Sequence, residues 1–287
     1  MSGEAGSVSH AVGLGVRRGW LEFVQSVRST QDQGFYVFTA LLTLGYLWLR
    51  RNSDSGVEGV PFAAVALPSL LAALIVFGII IGPAYTIAME KEDGTLLRHR
   101  AVPHGLVGYF SAQLLYQSLN LVPQLVVVLV PSLLLFDGLM SDASGWLTVV
   151  WVIALGLLAA LPIGMLIGAL VPSVQKVGMW GMLPVLVLTA ISGIFYPLQQ
   201  LWVWVQWLAQ AFPLYWVGLG MRSAFLPDAA AVAEIGGSWR TLETVAVLGA
   251  WAVVGAVLMP KVLRRMSRRQ TGSQVQAARE ATLQWVR

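Results

Sequence analysis

The sequence predicts an all-α integral membrane protein. The expected fold has six transmembrane helices, an N-terminal amphipathic interfacial helix, and broken re-entrant helices on the outer side between spans five and six. Three observations carry this. First, 57% of the 287 residues are hydrophobic and only 11% are charged, against about 25% charged in a soluble domain, so the chain cannot clothe a water-facing surface. Second, the apolar residues fall in runs long enough to cross a bilayer. Third, the basic residues cluster beside those runs, as at cytoplasmic flanks. With no cysteine, disulfide frameworks, thiolate metal sites and thiol nucleophiles are excluded.

Residues 1–33 form the expected cytoplasmic N-terminus. Within it, Val16, Trp20, Phe23, Val24 and Val27 recur at helical spacing, with Arg18, Glu22 and Gln25 on the other side. The pattern predicts a helix lying in the inner interface, although a helix packed on a soluble partner has the same signature. The six spans are expected over 34–49, 61–89, 107–136, 146–170, 177–196 and 242–260. The first is short, and the second and third exceed a plain crossing, so their ends must tilt, kink or emerge. The segment 199–225 is broken by Pro213 and carries four glutamines and Arg222. It reads as two short outer helices, tolerated where protein or water satisfies the backbone. A basic tail, 261–287, closes the chain. With the N-terminus inside, every basic residue except Arg50, Arg51, Arg222 and Arg240 falls on the cytoplasmic side, which puts both termini there.

Catalytic constellations are scarce. His10, His99 and His104 have no zinc or triad spacing, so no metal site is expected, and no G-x-x-x-x-G-K-[ST] phosphate loop is present. The chain is therefore expected not to be an enzyme and to bind no cofactor. Its densest charge lies at 90–103, where Glu90, Lys91, Glu92 and Asp93 precede Gly94, Thr95, Leu96, Leu97 and Arg98, and Pro103 closes the segment. Gly94 should end the long helix, and Asp93 or Thr95 can cap a short new one presenting Leu96 and Leu97. An ordinary solvated loop and a rigid knob for a cytoplasmic partner both fit. On the third span, Gln113, Tyr116, Gln117, Asn120 and Gln124 share one face, as a substrate path or as interhelical glue. Gly78 with Gly82 and Gly164 with Gly168 give the four-residue spacing of close helix contacts.

Glu90-Lys91-Glu92-Asp93-Gly94-Thr95-Leu96 resembles the E-x-E-x-G-T-L signature of type-2 ATP-binding-cassette export permeases, where it leads into a coupling helix. Ser192-Gly193-Ile194-Phe195-Tyr196-Pro197 is similar to that family's S-G-x-x-[FY]-P stretch, followed here by Trp204, Trp207 and Pro213. The nearest likeness is to daunorubicin-resistance-type drug permeases. The resemblance implies a translocation pathway for a hydrophobic or amphipathic substrate, a drug or antibiotic ahead of a lipid or polysaccharide, in a bacterial plasma membrane. It implies two permease chains, as homodimer or heterodimer, and two nucleotide-binding ATPase subunits that hold ATP and Mg. It further implies coupling through Glu90, Glu92, Asp93, Gly94, Thr95, Leu96, Leu97 and Arg98, and a pathway past Tyr85, Thr86, Thr189, Ser192 and Phe195. Tyr196, Pro197, Trp204, Trp207 and Pro213 would belong to the outer re-entrant segment. An ion-coupled secondary transporter is the competing expectation, although Asp32, Asp137, Asp142 and Glu243 all fall at span boundaries rather than centres.

Overall fold

The computed structural model describes residues 7–53, 55, 59–96, 102–136, 139, 143–194 and 198–269. Helix α1 covers Val8–Arg28 and α2 Thr30–Leu49, hinged at Ser29, whose hydroxyl accepts from the Asp32 amide at 3.3 Å to cap α2. Helices α3 (Phe62–Glu92) and α4 (Gly105–Leu135) each run 31 residues without interruption, with Pro68 and Pro83 inside the first and Pro123 and Pro131 inside the second. Then follow α5 (Ala143–Leu170), α6 (Val174–Ile191, with a π-helical turn at Val177–Met182), α7 (Val203–Ala211), α8 (Pro213–Phe225) and α9 (Thr241–Arg269).

Five of these, α3, α4, α5, α6 and α9, are long and apolar enough to cross a membrane. The expected first span, α2, is a 20-residue helix but is not among them. Its first turn is Thr30-Gln31-Asp32-Gln33, which leaves a short apolar stretch behind it. It nonetheless exposes Val37, Phe38, Leu41 and Leu42, each more than half exposed, on a face that suits lipid rather than water. The segment expected to break at Pro213 appears as two helices that part before it, with Pro213 the first residue of α8.

The core sits between α3, α5 and α8. Every α8 residue except Ser223 is buried. Gly164 and Gly168 bring α5 onto α3 so closely that a Cβ would stand 2.2 Å from the Ile80 carbonyl oxygen and 2.4 Å from that of Ala84. That spacing therefore serves contact within one chain. Helix α1 docks on α4 by small residues, not by its large apolar ones. Ala11, Gly15 and Gly19 are buried, and a Cβ at Gly15 would overlap Ser111 and the Gly108 carbonyl. Val16 and Trp20 are left 45% and 53% exposed, which frees this apolar face for a bilayer interface.

Candidate functional site

At the foot of α3, three consecutive charged residues reach three different elements. Glu90 accepts from the Arg18 guanidinium of α1 at 2.6 Å; Arg18 also pairs with Glu22 at 2.6 Å and lies over the Tyr109 ring. Lys91 donates to the carbonyls of Ala169, at 3.3 Å, and Val171, where α5 ends and its last acceptors lack helical partners. Glu92 accepts from the Val174 amide at 2.8 Å and so caps the start of α6, where a carboxylate suits the helix dipole. Burial works against the Arg18 charge, but its hydrogen bond to Glu90 and the charges of Glu22 and Glu90 outweigh this and raise its pKa.

Just past this tie, Asp93 caps α3 and Gly94 takes φ +73°, a left-handed turn that favours glycine. Thr95 and Leu96 then start a new helical turn. Leu96 is 1% exposed, so its side chain serves the protein's own interior. The expectation that it is presented to a partner is corrected. Leu97 and Arg98 lie outside the described residues.

Above the foot, a cavity of about 710 Å³ opens among α2, α3 and α4, with Met182 of α6 at its edge. Tyr85 and Thr86 line it, as do Tyr116, Gln117, Asn120 and Gln124 of the α4 stripe. Asn120 also accepts from the hydroxyls of Tyr36 and of Ser26 (3.2 Å), tying α1, α2 and α4 together. The stripe thus both lines space and joins helices. Thr189 and Ser192 are buried elsewhere, with their hydroxyls bonded back to Val185 and Thr189 carbonyls of α6, and they do not line this cavity. Phe195 lies outside the described residues.

The same fold has a family signature. The model of the ABC-2 type transporter matches residues 10–226, well over half of the chain. The chain belongs to the ABC-2 type transporter family. It is therefore an integral membrane protein whose ABC-2 domain is the permease component of an ATP-binding-cassette exporter, and such domains typically work with ATPase subunits. No curated protein matches it.

The far end of this ABC-2 domain holds a feature that charge counting missed. Arg222 in α8 is buried, with Nε 2.5 Å and Nη2 3.2 Å from the two carboxylate oxygens of Glu234. Its Nη1 donates to Ser69 of α3 and to the Gly193 carbonyl, both at 3.3 Å. Gly193 has φ +75° just beyond α6, so the Ser192-Gly193 pair ends a helix and offers Arg222 an acceptor. Pro213 is buried, whereas Trp204 and Trp207 on α7 are 62% and 72% exposed, as indoles at a membrane boundary would be. Tyr196 and Pro197 lie outside the described residues. An arginine near the end of a broken, glutamine-bearing helical segment looks like an ordinary boundary cation in sequence. A hint was its place just after Leu219-Gly220-Met221, with Ala224 and Phe225 beyond Ser223.

Proposed function

We propose that the chain is the permease of a drug exporter of the daunorubicin-resistance type. On this reading α2 and the five long helices make six spans, both termini lie in the cytoplasm of a bacterial cell, and α7 and α8 form a re-entrant outer segment. Two permease chains and two ATPase subunits make the working complex. ATP and Mg bind the ATPases, and this chain lends no catalytic group. Closure of the ATPase pair pushes on the turn at Gly94, Thr95 and Leu96. Glu90, Lys91 and Glu92 pass the push to α1, α5 and α6, and the cavity beside α3 changes from inward-open to outward-open. A hydrophobic or amphipathic drug or antibiotic is the substrate class.

The observation that supports this most is the tie at the foot of α3, because the residues beside the left-handed Gly94 turn hold three separate elements at once. The test is reconstitution with the cognate ATPase in proteoliposomes. Gly94→Val should leave ATP hydrolysis running while drug transport falls to background, since a β-branched residue is strained at that φ. Full transport by a normally inserted Gly94→Val protein would refute the coupling role.

A further inference from the structure

Helix α6 changes character part-way along. Val177–Met182 is π-helical, while Val174–Lys176 before it and Leu183–Ile191 after it are α-helical. A π-helical turn is rare, and it holds about one residue more than the α register needs. The sequence supplies a cause. Pro184 has no N–H, and in an unbroken α-helix its ring would strike the carbonyl four residues back, that of Trp180. A wider turn just before the proline relieves that clash.

The turn also divides two packing regimes. At its lower end Val177 is fully buried and clusters with Val171 and with Ala84 and Ala88 of α3, and just below it Glu92 holds the Val174 amide. Above it, the buried residues of Leu183–Ile191 are Val185 and Thr189, whereas Leu183 and Val187 are 59% and 53% exposed. Turning such a half costs little in a bilayer, because lipid is as apolar as the side chains it replaces. Its far end is jointed too, since the helix stops at Ser192 and Gly193 follows with φ +75°. The upper half of α6 is thus a short rod between a π turn and a left-handed glycine. Met182, the last residue of the π turn, stands at the edge of the main cavity.

We infer that the π turn is a swivel. When Val177–Met182 passes to the α register, the upper half of α6 rotates by about 100°, one residue's worth of helix, while its foot stays tied to α3. The rotation carries Met182 away from the cavity edge and opens the cavity towards α6. This rests on the permease reading above and adds a moving part to it: the π register belongs to the resting chain, and the α register to the chain whose ATPases have closed.

The chain has no cysteine, so Gln175→Cys with Val187→Cys places two nitroxides at exposed positions on either side of the turn. The labelled full chain is reconstituted with the cognate ATPase in proteoliposomes, with daunorubicin as the transported probe. Trapping with ATP and vanadate should move the label separation by several ångströms. Pro184→Ala restores the donor and removes the ring, so it should show the trapped separation without ATP and raise the thermal midpoint. It should also cut transport about tenfold, as when a two-state equilibrium moves a decade towards one state, while ATP hydrolysis continues. A merely structural proline would lower midpoint and transport together, and that result overturns the swivel. So does full transport by Pro184→Ala, or a separation that ATP and vanadate leave unchanged while the unaltered chain pumps drug. If Pro184→Ala shifts the separation but the unaltered chain pumps nothing on ATP, the exporter reading fails and the swivel stands.

Discussion

Arg222 and Glu234 are only 5% and 9% exposed, and each is the other's ion-pair partner. Removing one partner strands the other, a loss of about 3–5 kcal/mol for a buried pair. Arg222→Met should therefore lower the thermal midpoint in detergent sharply, and a second change, Glu234→Leu, should recover much of it. If the double variant is no better than the single, the pair is not the cause. Arg18 differs, since its side chain is 30% exposed and its two carboxylates hold its pKa above the usual arginine value. Its contribution is present below the unfolded arginine's pKa for as long as Glu22 and Glu90 are ionised, and at the alkaline end it fades only as pH climbs past that raised value. Sequence reading found Glu90 and Glu92 by their signature but not the residues they hold. Their partners Arg18 and Val174 are 72 and 82 residues away, and such distances carry no local spacing for a reader to use.

Among the elements, helix approach is governed by small residues, which suits a lipid solvent that gives apolar side chains no reason to prefer protein. Gly164→Val would drive a Cβ toward backbone of α3, which cannot swing aside as a side chain can. It should destabilise by about 1–3 kcal/mol or more, while Gly45→Val, at a position with open space around it, should be far milder. Equal thermal midpoints for the two variants would contradict the packing. The glycine spacing was legible in the sequence; the facing carbonyls were not, because nothing local says which helix lies opposite. Helix α1 teaches the same lesson in reverse. Its large apolar side chains gave the pattern, but the chain buries its small ones, Ala11, Gly15 and Gly19, and leaves Trp20 outside.

For the molecule as a whole, composition was sufficient to announce a helical membrane bundle; five long apolar helices overlap the expected runs, although α9 continues to Arg269, into the expected tail. What composition could not supply was the order of burial. The window of α3 is 61% buried and that of α5 50%, against 22% for α6 and α9, although all four are strongly apolar. In lipid, hydropathy no longer distinguishes inside from outside, and packing shape decides. The cavity was half legible for the same reason. The α4 amides stood out as a polar stripe, but their role depends on α2 leaning across them through Tyr36 and Asn120, a contact between residues far apart in the chain.

Successive residues of an α-helix diverge by about 100° around its axis, so Glu90, Lys91 and Glu92 grip their neighbours like the jaws of a chuck. Any torque delivered at the end of α3 is shared among the jaws, and each single substitution opens only one. An extra alanine inserted between Ala88 and Met89 would turn all three away from their partners together. That insertion should abolish transport outright where Glu90→Gln, Lys91→Met and Glu92→Gln each leave some; if it is no worse than the weakest of them, the load is not shared.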